Sequence, residues 1–276
     1  MKIVRSATAL RPLRAPWKSV GFVPTMGALH PAHMSLVARA KRECQRVIVS
    51  VFVNPTQFAP HEDFSKYPRP FKQDAALCRQ AGVDVLYHPS PTAMYPQGFQ
   101  STIEVPRVAA PLEGRFRPGH FSGVATVVLK LLNQVTPHRL YLGEKDFQQL
   151  AVIRRMVTDL DLDVRVVGCK TIREADGLAL SSRNAYLSPA QRARAPFLQQ
   201  ALRHGAIAAR KPRATPATVR AAMRQAIRPM QGRLDYLEIV EADTLVRPKR
   251  LRGRLRLLGA VHLGNTRLID NIPLFL

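Results

Sequence analysis

The feature that most constrains this chain is an alternation that dominates it up to about residue 170: short apolar runs closed by turn residues, each followed by an amphipathic stretch. Segments 20–23 and 47–53 read as buried strands and segment 33–44 between them as a helix, which together make a βαβ unit. The same logic predicts strands at 83–87, 139–142 and 164–167, with helices at 71–81, 123–134 and 147–160. Apolar strands alternating with helices pack as an α/β fold, a doubly wound parallel sheet covered on both faces. Its ligands bind outside the carboxyl ends of the strands.

Past 168–173 the pattern changes. A polar loop at 173–184 leads into helical segments over 189–210 and 216–228, then strand-like stretches at 236–241, 255–262 and 266–271. This order predicts a smaller C-terminal α+β domain over 171–276, following a first domain over 1–170. A length of 276 residues with 46% hydrophobic content suits two modest cores and excludes a disordered or fibrous chain.

Cys44, Cys78 and Cys169 lie far apart in no Cys-x-x-Cys spacing, so neither a disulfide framework nor a zinc site is expected, and no residue is assigned as a metal ligand. The first 22 residues lack the apolar core of a secretory signal, and no run approaches the roughly 18 apolar residues of a membrane span. A cytoplasmic protein without a membrane partner is expected. The net charge of +23 is densest in residues 191–276, which hold 17 basic and 5 acidic residues. Such a field attracts nucleotides, pyrophosphate and nucleic acid alike, and a solvated Arg-rich surface explains it equally well. No aromatic RNA-binding block accompanies it, so nucleic acid is not expected as a partner.

Four constellations carry chemistry. In Val23-Pro24-Thr25-Met26-Gly27-Ala28-Leu29-His30-Pro31-Ala32-His33 a strand runs through a glycine turn into a helix that starts with proline. Backbone N–H groups exposed there would form an anion site, with two histidines three apart facing it; ordinary capping with surface histidines is the plainer alternative. Asn54-Pro55-Thr56-Gln57, followed by Glu62-Asp63, begins where the second strand ends, and its amides suit a small polar acid. Asn-Pro also opens turns, so Gln57 outweighs Asn54 as a ligand group.

Arg115 to Phe121, containing His120, precedes Gly143-Glu144-Lys145-Asp146-Phe147-Gln148-Gln149 at the end of another strand. Lys145 there is a mobile charge for a phosphate, while Asp146 caps a helix or approaches Mg²⁺. Finally, the loop Asp176 to Asn184 places Ser181, Ser182 and Arg183 together, two hydroxyls and a guanidinium able to hold a triphosphate at a hinge.

Taken in order, VPTMGALH, FVNPTQF, EDFSKYPR, RPGHFSGVATVV, GEKDFQQL, DGLALSSRN and LIDN resemble the pantothenate synthetase (pantoate–β-alanine ligase) family from about Gly21 to Asn271. The resemblance implies a Rossmann-like first domain that binds ATP and pantoate, and a smaller second domain that closes over ATP. It implies that pantoate is activated by MgATP as an acyl-adenylate and joined to β-alanine, with pyrophosphate and AMP released, in a homodimer.

It further implies an ATP site of Met26, Gly27, Ala28, Leu29, His30, Pro31, Ala32 and His33 with Gly143, Glu144, Lys145, Asp146, Ile172, Leu180, Ser181, Ser182 and Arg183. His33 would be the main catalytic residue, assisted by His30 and Lys145. Gln57 and Gln149 would bind pantoate, with Asn54 and His120 as further candidates. Mg²⁺ would be held by phosphates and water rather than by a carboxylate cage. One departure stands out: Ala32 occupies the position of the family's glycine in its His-x-Gly-His turn, and its methyl is expected to weaken ATP binding while leaving activity intact.

Overall fold

The computed structural model describes residues 1–59 and 64–276, so Glu62 and Asp63 lie outside the described residues. The chain forms two compact units: Met1–Glu144 with Gln148–Lys170, and Lys145–Phe147 with Thr171–Leu276.

Within the first unit the elements run β1 (Lys2–Val4), α1 (Ala7–Arg14), β2 (Val20–Thr25), α2 (Pro31–Glu43), β3 (Arg46–Val51), α3 (Phe71–Gln80), β4 (Val85–Tyr87), three single-turn helices α4 (Pro91–Met94), α5 (Pro106–Ala109) and α6 (Glu113–Phe116), α7 (His120–Val135), β5 (Arg139–Gly143), α8 (Phe147–Asp159) and β6 (Arg165–Cys169). Among the described residues the six strands pair in parallel in the order β1-β4-β3-β2-β5-β6. From β2 the chain builds outward through β3 and β4 on one side and through β5 and β6 on the other. The switch point therefore falls between β2 and β5, where such sheets open a crevice at their carboxyl ends.

The doubly wound sheet read from the sequence is present because its strands are apolar on both faces: Val47, Ile48 and Val49 in β3 are fully buried, as are Leu140 and Tyr141 in β5. Two elements escape a periodicity argument. β1 has three residues, and α1 contains Pro12, a residue that normally ends a helix. Instead α1 is fixed by its cap, with the Ala9 N–H donating to Ser6 Oγ at 3.2 Å, and by the buried Leu10.

In the second unit α9 (Pro189–Arg194), α10 (Phe197–Ala209) and α11 (Pro216–Ala226) precede β7 (Arg233–Glu241), β8 (Arg254–Leu263) and β9 (Thr266–Phe275), which pair antiparallel in that order. The helical segment 189–210 divides at Pro196, whose missing N–H cannot continue the ladder. Leu198, Leu202, Val219 and Met223 from the helices pack with Leu237, Leu257 and Val261 from the sheet. This core is separate from that of the parallel sheet.

Candidate active site

At the carboxyl end of β2 the chain turns sharply before α2. Gly27 has φ +85°, and a Cβ there would lie 2.8 Å from Asp74 Oδ2 and 3.0 Å from Val51 Cγ1, so both conformation and space require glycine. Asp74, on α3 and almost completely buried, accepts the Ala28 N–H at 3.0 Å and the Leu29 N–H at 2.7 Å. The Gly27 N–H donates to Thr25 Oγ1 at 3.1 Å, and the His30 N–H reaches His33 Nδ1 at 3.4 Å. Four consecutive amides are thus engaged inside the protein. Asp74 has the anion's place behind this turn, which precedes the first residue of α2. The polar face left to a ligand is the start of α2 and its imidazoles.

His30 is the N-cap of α2 and His33 lies in its first turn, with ring centroids 4.1 Å apart. Because His33 Nδ1 accepts, the neutral ring carries its proton on Nε2, which becomes the donor. Ala32 occupies a helical position in α2, a conformation open to any side chain. Beneath the turn, burial first and the charge of Asp74 second push the Cys78 thiol up to about 12, so it remains protonated.

At the end of β3, Asn54 and Gln57 divide their labour. Asn54 is buried; its Oδ1 accepts from Tyr95 Oη at 2.7 Å and from Thr56 Oγ1 at 3.0 Å, while Nδ2 donates to Gly123 O at 3.1 Å and Gln57 Oε1 at 3.2 Å. Its amide is saturated. Asn54 therefore orients Gln57 and has no hydrogen-bonding capacity left for a substrate. A Cβ on Gly123 would fall 2.3 Å from Thr56 O, so α7 meets this loop at a contact only glycine permits. Gln57 Nε2 contacts Met26 Sδ at 3.0 Å, which aims the amide at the glycine turn.

His120 braces the same loop from α7. Arg117 can only donate, so its 2.9 Å contact makes His120 Nε2 the acceptor and Nδ1–H the donor to Gln57 O at 2.8 Å. Both ring nitrogens are thereby engaged with protein. Gln148 and Gln149 differ in the same way. Gln148 is buried, accepts the Glu113 N–H at 3.0 Å, and donates to Val108 O and Pro111 O at 2.9 and 2.7 Å. Gln149 is half-buried in α8, and its side-chain amide has no hydrogen-bond partner among the described residues. Gly143, at the end of β5, has nothing within 4 Å of where a Cβ would stand.

The remaining sequence candidates belong to the second unit. Lys145 is largely buried, with Nζ 3.9 Å from the half-exposed Asp146, at the end of a 3₁₀ turn that runs into α8. The loop carrying Ile172 folds back through an Arg173–Ala179 bridge and a Leu180 N–H to Ile172 O bond of 3.0 Å. Ser181 Oγ then accepts the Arg183 N–H at 3.3 Å and caps the turn Ser182–Tyr186. Asn184 Nδ2 ties that turn to Ala179 O at 3.0 Å. Among the described residues no group of three or more His, Cys, Asp or Glu is placed to hold a metal ion, and no helix is long and apolar enough to cross a membrane.

A model of the pantoate-beta-alanine ligase family matches residues 2–273. The chain belongs to this family. A pantothenate synthetase from Cereibacter sphaeroides is 50% identical over 98% of this chain and 99% of its own length. The crystal structure of the Thermus thermophilus pantothenate synthetase superposes with a TM-score of 0.96 at 47% identity, covering 100% of both chains. That of the Francisella tularensis ligase, described as complexed with β,γ ATP and β-alanine, has a TM-score of 0.80 at 37% identity over 99% of this chain and 97% of its own. Against this pantoate–β-alanine ligase background, two residues that shape the site had no local sequence signal. Asp74 lies on a helix 46 residues from the Ala28 it holds, and Tyr95 on a loop 41 residues from Asn54.

Proposed function

We propose that this chain condenses pantoate with β-alanine in two steps at the switch point of its parallel sheet. A pantoate carboxylate oxygen attacks the α-phosphorus of MgATP, the bond to pyrophosphate breaks, and a pantoyl adenylate forms. The β-alanine amine then attacks the acyl carbon; AMP leaves with the former carboxylate oxygen and the amine loses a proton. The observation that carries this reading is the pairing of His30–His33 at the start of α2 with Gln57, whose amide Asn54 and Met26 hold toward the same turn. The ATP and β-alanine named for the Francisella relative support it.

The side chains suit an in-line displacement, which depends on positioning and on neutralising oxygen charge. The neutral amides of Gln57 and Gln149 orient a carboxylate without the tight pairing a cation would impose on its nucleophilic oxygen. His33, with a donor at Nε2, and His30 are assigned to the phosphates, as are Lys145, Ser181, Ser182 and Arg183, with Ile172 and Leu180 assigned to the adenosine. Gly143, Glu144 and Asp146 complete the nucleotide contacts, and Mg²⁺ enters with ATP. The enzyme acts as a cytoplasmic homodimer, in keeping with its family. Replacing Ala32 by glycine is expected to lower the KM for ATP, and an unchanged KM would remove the proposed steric penalty.

The decisive experiment uses pantoate labelled with ¹⁸O in its carboxylate. Pyrophosphate release should require pantoate, and AMP release should require β-alanine and carry one labelled oxygen. Unlabelled AMP would exclude the adenylate route, and absence of pantothenate would overturn the ligase reading itself.

A further inference from the structure

The LIDN block near the C-terminus has no part in the chemistry above, yet its last two residues hold the two segments of the second unit assigned to the phosphates. Asp270 and Asn271 are nearly completely buried in β9. Asn271 Nδ2 donates to the main-chain carbonyl of Lys145 at 2.8 Å, while its Oδ1 accepts from Arg256 Nε at 2.7 Å. Arg256 also lies over the Phe147 ring, 4.1 Å from its centroid, so the chain is gripped on both sides of Asp146.

Asp270 takes the other segment. It forms a two-point ion pair with Arg173, at 2.6 and 2.9 Å, and Arg173 donates onward to Gly177 O at 2.9 Å and Asn271 O at 3.3 Å. Arg173 stands at the base of the loop that ends in Ser181, Ser182 and Arg183. Consecutive strand side chains leave on opposite faces, so one dipeptide can anchor two separate segments.

We infer that Asp270 and Asn271 are positioning residues that set Lys145 and the 181–183 turn on one rigid strand, so that the groups meeting the phosphates keep a fixed spacing. Asn271 acts through Lys145 and Asp270 through Arg173; neither touches substrate. The inference rests on the ligase reading only for the roles of Lys145 and the serine turn.

The isosteric change Asn271→Asp tests it, because the carboxylate still accepts from Arg256 but confronts the Lys145 carbonyl with an acceptor instead of a donor. A misplacement of about 1 Å costs on the order of a hundredfold in rate, so kcat should fall about 10- to 100-fold while the KM for pantoate stays within about threefold. In a Lys145→Ala background the same change should add less than about twofold, since residues that act through one another are not additive. Activities are compared by single turnover below the melting transition of each variant, and Asn271→Ser replaces any variant that does not fold. A full multiplicative loss in the Lys145→Ala background, or wild-type kcat for Asn271→Asp, would overturn the inference. A wild-type enzyme that makes no pantothenate would instead defeat the ligase reading, so the two failures are distinct.

Discussion

The two ends of the parallel sheet both gather polar side chains, and they use different kinds. At the amino-terminal end the groups are charged and mutually satisfied. Asp84, just before β4, accepts from the Val47 N–H and Arg46 at 2.8 Å each and from Lys41 at 3.4 Å, while Glu43 accepts from Arg39, Arg139 and Tyr141. At the carboxyl-terminal end most of the groups are neutral amides and imidazoles, each held by a neighbour that fixes its direction: Gln57 by Asn54, His33 by the His30 N–H. The buried carboxylate of Asp74 is turned inward to the backbone. Charges that pair with each other hold elements together, whereas half-engaged neutral groups remain able to bind a substrate that brings its own charge.

The sharpest way to break this comparison is at His33. His33→Ala should lower kcat by about 10²- to 10⁴-fold, the range for loss of a positioned acid–base or donor group, with the melting temperature nearly unchanged. A large fall in melting temperature with little change in kcat would place His33 among the structural groups. Asp74→Ala comes next and should do the reverse. It strands two part-buried amides and leaves a hole at a buried side chain, so urea unfolding should show a loss of about 2 kcal/mol. An unchanged unfolding midpoint would mean that the 27–30 turn holds without its carboxylate.

The adjacent glutamines give a finer test. Gln148→Ala should cost about 2 kcal/mol of stability, because it leaves the Glu113 N–H and three carbonyls without their partner. Gln149→Ala should leave stability within about 0.5 kcal/mol and raise the KM for pantoate. Equal stability losses at the two positions would erase the distinction between anchored and half-engaged amides.

This division explains what the sequence could and could not reveal. β2, β3 and β5 were legible because both of their faces are apolar, and the α+β unit because its periodicity changes. β1 is too short for periodicity to register, and α1 depends on a cap and a buried leucine that outweigh an internal proline. Within the site, the saturation of Asn54 depends on Tyr95 and Gly123, which lie 41 and 69 residues further along the chain and leave no local trace. The occupied amides of the 27–30 turn were not legible, because their acceptor is supplied by α3 and nothing local encodes that contact. LIDN was visible as a motif, but its grip on Lys145 exists only in three dimensions.

The smallest expected effect belongs to the charged end of the sheet. Burial pushes the Asp84 carboxyl up, but its bonds from the Val47 N–H and Arg46 and the charge of Lys41 outweigh it and hold the group below its ordinary value. For a carboxylate depressed in the folded state, the stabilisation is present above the unfolded value, near 3.9, and is lost as pH falls through the folded value. Asp84→Asn should therefore lower the urea midpoint modestly at pH 7, by about 1 kcal/mol or less for a partly exposed cluster. In acid below both values the two proteins should converge, because wild-type Asp84 is then neutral as well. A gap that persists undiminished into acid would trace the loss to shape and packing rather than to charge, and the contrast between the two ends of the sheet would have to be redrawn.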